Sequence, residues 1–255
     1  MFRRVLFSTV AVVAGFSVAA QAAPKDEVTD AAKKLGEAKS YSWKSDVQSQ
    51  GGGGGGGQGR GRFGGPTEGK TEKDGFTHLS MQRGDNTIEA VMKGEKVAIK
   101  NQEGWQSLQE LQAQLAADGG QGGQGRGRGG FTRQLQNFKA PAQEAQDLAS
   151  KAKELTKEGD AYTGELTEDA AKELISFRRG GQGAQGGNAP QATDAKGKVK
   201  FWVKDGALAK YEYNLTGKMD FNGNSFDIDR TTTVEIKDVD NTKVEIPEEA
   251  KSKLG

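Results

Sequence analysis

Gly197 to Pro247 reads GKVKFWVKDGALAKYEYNLTGKMDFNGNSFDIDRTTTVEIKDVDNTKVEIP, and its periodicity decides the fold class. Val199, Phe201 and Val203 fall on one face of an extended chain. Tyr211, Tyr213 and Leu215 repeat that alternation, as do Phe226, Ile228, Thr232, Val234 and Ile236. A period of two marks half-buried antiparallel strands. Asp205-Gly206 and Asn222-Gly223 lie between the runs and suit hairpin turns that need positive φ at both central residues. The stretch is therefore an antiparallel meander.

Upstream, Tyr41, Trp43, Ser45 and Val47 alternate with polar residues as a first strand. Four short strands follow, at roughly 67–73, 77–83, 87–93 and 96–101, separated by the turn signals Asp74-Gly75, Gly84-Asp85-Asn86 and Lys93-Gly94-Glu95. Leu79 and Met81 share a face, as do Ile88, Ala90 and Met92, then Val97 and Ile99. Trp105, just beyond, is expected to cover the sheet edge or the start of the next helix.

Helical spacing appears in five places. Val28, Ala31, Ala32, Leu35 and Ala38 form a short amphipathic helix, weakened by Gly36. Leu108, Leu111 and Leu115 form a second. Phe131, Leu135 and Phe138 stand at i, i+4 and i+7, before a helix opened by Pro141 with the stripe Ala145, Leu148, Ala152 and Leu155. Thr167 is an N-cap for a helix carrying Ala170, Ala171, Leu174, Ile175 and Phe177. Ala161 to Leu166 is a connector or strand between the last two. The segment 248–253 is a charged tail that need not be ordered.

Glycine is abundant, with 38 among 255 residues, and the excess concentrates in low-complexity loops at 51–65, 119–130 and 180–190. These loops bury too little apolar surface to offset their ordering entropy and are expected to be disordered. Loop length adds little free energy cost, so one domain over 23–255 is expected. Residues 1–22 form a signal peptide: Met1-Phe2-Arg3-Arg4 is basic, 5–19 is apolar or small, and Ala20-Gln21-Ala22 fits a cleavage site before Ala23. Its apolar run, broken by Ser8, Thr9, Gly15 and Ser17, is too short to span a bilayer. A periplasmic or secreted monomer without a stable membrane span follows, exported by the general route unless Arg3-Arg4 marks a twin-arginine signal.

The chain has no cysteine, which excludes disulfides and thiolate metal sites, and its formal charge is +1, which excludes a global field toward nucleic acid. His78, the single histidine, alternates away from Leu79 and Met81; a solvated strand residue is expected, with no metal, no cofactor and no serine-triad chemistry. Asp227 and Asp229 read as a polar outer face, and Asp238-Val239-Asp240-Asn241 lacks the glycine and distal glutamate of a calcium loop. Carboxylates are plentiful, but no spacing singles out a glycosidase-like pair, so an enzyme is the weakest reading and non-enzymatic binding is expected.

The N-terminal helix before SYSWKSDV, the strands ending in KVAIKNQEGW and the closing GKVKFWVKDGALAKYEY and TTTVEIKDVDNTKVEIPEEA together resemble the lipoprotein-carrier-like half-barrel superfamily, the LolA, LppX and LprG type of periplasmic lipid-binding protein. That resemblance implies an α+β fold: a curved antiparallel sheet wrapped around a few helices, with lipid or an acyl chain between them. The Arg-Pro pair of LolA has no counterpart in EGKTEKDGFTHLSM, and there is no lipobox cysteine, so no family site residue carries over.

Two candidate residue sets follow. Trp43, Met81, Met92, Phe201, Trp202, Tyr211 and Tyr213 are candidates for a hydrophobic ligand wall, with Trp202 opposite in phase to Phe201 and Val203, so that its strand is apolar on both faces. Arg60 and Arg62, Arg126 and Arg128, and Arg178 and Arg179, each pair near a phenylalanine and glycines, are candidates for contact with an anionic envelope surface. The second set carries the alternative reading, a structural or interaction protein of the cell envelope acting through its Gly/Arg/Gln-rich loops.

Overall fold

The computed structural model describes residues 23–50, 65–73, 75–83, 86–101, 104–117, 132, 135–177, 191–221 and 224–254. Residues 1–22, read above as a signal peptide, and most of the three glycine-rich stretches lie outside them.

The strand alternation builds a single antiparallel sheet. Its first run is β1 (Ser40–Ser49), β2 (Thr67–Glu72), β3 (Phe76–Arg83), β4 (Asn86–Lys93), β5 (Lys96–Asn101) and β6 (Gly104–Ser107). Its second is β7 (Ala152–Glu158), β8 (Ala161–Leu166), β9 (Gln191–Lys204), β10 (Ala207–Phe221) and β11 (Asn224–Lys237). In space the 11 strands run β6-β5-β4-β3-β2-β1-β11-β10-β9-β8-β7, so the sheet is open, with β6 and β7 at its edges. The two meanders join through β1 and β11, where Trp43 stands opposite Ile236 and Ser45 opposite Val234. At the β9–β10 turn Asp205 and Gly206 both take positive φ, 54° and 70°, as a primed hairpin turn requires.

Four helices, α1 (Pro24–Glu37), α2 (Leu108–Ala117), α3 (Pro141–Lys151) and α4 (Glu168–Phe177), lie on the inner face. Val28, Ala31, Ala32 and Leu35 of α1 and Ala142, Ala145, Leu148 and Ala149 of α3 are buried. Their alanines let the two helices approach closely, and Gly36, 3.6 Å from the Ala142 Cβ at its own Cβ position, belongs to that contact. The Thr167 hydroxyl accepts the Ala170 N–H at 3.2 Å, the expected cap of α4. At α2 the Glu110 N–H bonds the Ser107 hydroxyl at 3.2 Å and the Ser107 N–H bonds the Glu110 carboxylate at 2.7 Å. This capping box is the S-x-x-E signature that Ser107 and Glu110 carry in the sequence.

Three expectations are corrected. Ala152 and Leu155 do not extend α3; they open β7. The Lys25 ammonium takes the carbonyls of Ser150 and Ala152 at 3.0 and 2.9 Å, Ala152 turns extended, and Gly159 at φ 61° returns the chain into β8. Phe138 is not part of a helix, although Thr132, Leu135 and Gln136 are helical; its N–H closes a turn on the Leu135 carbonyl.

The third correction is the tail, which is ordered. Residues 248–253 form α5 (Glu248–Lys253), whose Ala250 lies, with Leu254, on Val91, Ala98 and Trp105 on the outer face of β4–β6. Trp105 thus belongs to an added strand, and its indole packs under the C-terminal segment. Lys253 meets Glu110 at 2.7 Å and ties α5 to α2. The aspartates of the false calcium loop are structural pins: Asp240 accepts the Lys39 N–H at 2.7 Å, and Asp238 accepts the Ser42 hydroxyl at 2.9 Å.

The same segment changes the setting of His78. Instead of being solvated, its side chain is 27% exposed, bonded to the Glu245 backbone and 3.9 Å from Glu89. Burial lowers its pKa, opposed by Glu89 and helped by Lys70 and Lys100. A histidine lowered on folding binds its proton more readily in the unfolded chain, so its contribution to stability is lost as pH falls below about 6.5. Urea unfolding at pH 5.5 and 7.5 should show that loss, and His78→Gln should flatten it; an unchanged pH slope in the variant would assign the effect elsewhere.

Candidate functional site

Alternation puts one residue in two from each strand on the concave face, where they meet the helices as a single apolar core. Tyr41, Trp43, Leu79, Met81, Ala90, Met92, Val97 and Ile99 come from the first meander. Val199, Phe201, Tyr211, Tyr213, Leu215, Val234 and Ile236 come from the second. The helices divide the face unevenly. α1 rests on β7, β9 and β10, α3 on β7, and α4 on β9 and β10, while α2 touches β5 and β6. The β1–β5 half of the wall therefore meets Leu108 and Leu111 of α2 together with Leu135 and Phe138. Its two methionines, Met81 and Met92, are unbranched and polarizable, and such side chains repack around irregular apolar shapes at low cost.

Trp43 organises this half. Gly69 faces it across β1 and β2, and the indole lies flat over the glycine, so close that a Cβ on Gly69 would fall 2.2 Å from the ring. The Trp43 Nε1–H donates to the Thr71 hydroxyl at 3.2 Å, which is in turn 3.2 Å from the Thr77 hydroxyl. On its other side the ring stacks on Phe138, with centroids 5.7 Å apart and planes 22° from parallel.

Tyrosine–glutamate bonds hold the other half. Tyr211 donates to Glu144 of α3 at 2.6 Å, and Tyr213 donates to the same carboxylate at 3.1 Å. Burial, then the Glu144 charge and its hydrogen bond, pushes the Tyr211 hydroxyl well above its ordinary pKa. Tyr162 of β8 donates to Glu27 of α1. Tyr41 is also raised, by burial, with the Ala142 backbone and Thr71 pulling it partly back.

Six of the seven candidate wall residues therefore share one concave face: Trp43, Met81, Met92, Phe201, Tyr211 and Tyr213. Trp202 does not join them. Its half-exposed ring lies on the outer face of β9, with the ammonium groups of Lys200 and Lys210 at 5.2 and 4.7 Å from its centroid. Cation–π cover by lysines accounts for the doubly apolar strand without a ligand on that side. Arg60, Arg62, Arg126, Arg128, Arg178 and Arg179 lie outside the described residues.

The sequence reading missed Glu144 and Arg230. Glu144 sits in the first turn of α3 after Pro141, a position where acids suit the helix dipole, but nothing local says that its carboxylate faces tyrosines. Arg230 shares the inward phase of Thr232, Val234 and Ile236 and donates through Nη2 to the Leu174 carbonyl of α4 at 3.5 Å. Its place in the Phe226-to-Ile236 alternation was the available signal.

No protein-family model matches the chain, and no curated protein matches it in sequence. Among solved structures it is similar to LprF from Mycobacterium bovis, with TM-score 0.45 and 10% identity over 89% of this chain and 97% of that one. It is also similar to the LolA superfamily protein NE2245 from Nitrosomonas europaea, with TM-score 0.34 and 8% identity over 88% of this chain and 96% of that one. Among the described residues, no helix is long and apolar enough to cross a membrane.

Proposed function

We propose that this protein is an exported binding or carrier protein that holds a lipid or other hydrophobic ligand between the concave face of its sheet and its helices. The observation that carries the reading is the uneven lining of that face. The β7–β11 half is clamped by α1 through Glu27 and by α3 through Glu144, whereas among the described residues the β1–β5 half, apart from the Tyr41 hydroxyl at the Ala142 backbone, meets α2 and the Leu135–Phe138 turn through apolar contacts and two methionines. An acyl chain enters most cheaply where apolar side chains repack and few buried hydrogen bonds must break. The basic and apolar character of residues 1–22 supports export to the periplasm or beyond. Binding, not catalysis, is the activity proposed.

The test is native mass spectrometry of the full chain purified from an envelope fraction, followed by solvent extraction and reloading with oleyl alcohol. The expected result is a lipid-sized mass adduct that extraction removes and the probe restores. A chain without adduct that also fails to take up the probe would sink the reading.

A further inference from the structure

The outer face of β9 carries a charge pattern that the rest of that face does not share. Val199 and Phe201 point into the core, so Lys196, Lys198, Lys200, Trp202 and Lys204 alternate onto the opposite face, and Lys210 of β10 stands beside Trp202 in register. Elsewhere on that face lysines meet acids: Lys44 is 2.9 Å from Glu68, Lys100 is 3.4 Å from Glu89, and Lys237 is 3.3 Å from Glu235. Among the described residues, neither Lys210 nor any lysine of the β9 row is in an ion pair; Lys200 and Lys210 lie instead over the indole. The acids nearest in register are engaged elsewhere. Glu165, opposite Lys198, is held by Lys153 at 3.3 Å, and Glu235, opposite Lys210, is held by Lys237. Glu212, opposite Lys200, and Asp205 in the turn remain to offset the row, and they are fewer than the lysines they face. The two outer-face tryptophans differ in the same sense. Trp105 is covered by Ala250 and Leu254 of the C-terminal segment, whereas Trp202 has only Ala161 opposite it on β8 and stays half-exposed.

We propose that the outer face of β9 is a docking surface for an anionic lipid bilayer, with the Trp202 indole at the depth of the headgroups and the lysines against their phosphates. Charge complementarity carries the choice of partner. The row from Lys196 to Lys204 extends over about 26 Å at the rise of a strand, so its ammonium groups are spread along a line and do not converge on one small anion. A plane of repeating negative charge meets such a row along its whole length. Lysine suits a fluid surface, because its point charge on a flexible stem needs no fixed geometry in the partner. An indole, apolar in its body with one N–H, suits the boundary between headgroups and acyl chains. The surface lies on the side of the sheet opposite the concave face, so docking leaves that face free. The inference therefore stands whether or not the concave face holds a lipid.

The experiment is co-sedimentation of the full chain with vesicles of phosphatidylcholine, alone or with about 30% phosphatidylglycerol, at low and at physiological salt. Binding is expected to the anionic vesicles and not to the neutral ones, and salt should weaken it by screening exposed charges. Each lysine near such a surface strengthens association about fivefold, so Lys198→Gln combined with Lys204→Gln should weaken it about 25-fold. Both side chains are exposed, so the variant keeps the fold. A charge-matched control from the β1–β5 half, Lys44→Gln with Lys100→Gln, should weaken binding less than about threefold, since those lysines lie beyond a screening length from the docked row. Trp43 and Trp105 are buried, so a blue shift of indole emission on adding anionic vesicles reports Trp202, and it should vanish in Trp202→Phe. Equal binding to the two kinds of vesicle, equal losses in the two lysine pairs, or a blue shift that survives Trp202→Phe would each overturn the docking surface. Binding to heparin with none to anionic vesicles would assign the row to a soluble polyanion and reject the bilayer.

Discussion

Gly69→Ala is expected to destabilise the protein by about 3 kcal/mol, toward the upper end of what overpacking costs. The new methyl would stand 2.2 and 2.3 Å from two carbons of the Trp43 ring, and that ring has nowhere near to go. It is held by the Thr71 hydroxyl on one side and stacked on Phe138 on the other. Moving it breaks both contacts and exposes an indole that is now only 5% exposed. Trp43→Ala alone should cost about 3–5 kcal/mol, as large-to-small core changes of this size do. In the double variant the ring is absent and the methyl has room, so the loss should stay close to that of Trp43→Ala. The resulting coupling of about 2–3 kcal/mol, read by urea unfolding, is the signature of direct contact. Additive losses would refute the flat packing of indole on glycine. Because Trp43 lines the wall assigned to the acyl chain, the same variants should also weaken uptake of oleyl alcohol.

Removing the carboxylate that clamps α3 is the second large effect. Glu144→Ala leaves the hydroxyl of Tyr211, a residue 0% exposed, without its acceptor and takes one acceptor from the 2% exposed Tyr213. The buried Tyr211 hydroxyl alone costs about 1–3 kcal/mol, and a loss of at least that size is expected. Replacing all three partners together, Glu144→Leu with Tyr211→Phe and Tyr213→Phe, should recover much of that loss, since no polar group is then left unsatisfied. A triple variant no more stable than Glu144→Ala would mean that the carboxylate acts through packing alone.

The clamp also fixes the alkaline limit of the fold. Tyr211 and Tyr41 have pKa values raised on folding, so the folded chain keeps its protons where the unfolded chain loses them. Their contribution to stability is intact below about pH 10 and is lost as pH rises through the folded values. Tyr211→Phe should therefore make unfolding less sensitive to pH above that point, measured by the urea midpoint between pH 9 and 11.

On the binding reading, the two halves of the wall have different parts to play. Polar bonds between β8, β10 and helices α1 and α3 hold one side, and their satisfied donors and acceptors make opening there expensive. On the other side, Met81, Met92, Leu111, Leu135 and Phe138 contribute apolar contact, which a ligand replaces in kind. This is where the binding reading expects exchange. Loss of Phe138 stacking would uncover one face of the Trp43 ring.

Much of the fold was legible in the residues because its signals are local. Val199 to Ile236 declares strands by alternation, Asp205-Gly206 declares a turn by the φ values it tolerates, and Thr167 declares a helix start by its hydroxyl. Each of these operates within a few residues of itself. Ala152 and Leu155 were misread because a spacing of three and four fits a helix until Lys25, more than a hundred residues earlier, takes the carbonyls at the end of α3. The charged tail looked unordered because its apolar residues, Ala250 and Leu254, are few and become a core only against Val91, Ala98 and Trp105.

The candidate wall was legible to a similar degree. Phase alone placed Trp43, Met81, Met92, Phe201, Tyr211 and Tyr213 on inward faces, but it could not say that β1 and β11 pair and make those faces one. Nor could it tell that Trp202 is covered by lysines, that Gly69 is the seat of an indole, or that Glu144 meets two tyrosines. What the sequence determined by itself is the set of strands, their turns and the inward phase of each, since backbone geometry and side-chain alternation are properties of neighbouring residues. Only the tertiary structure decided which strands adjoin and which polar groups meet inside the cup, because those contacts join residues far apart in the chain and depend on the packing of the whole sheet.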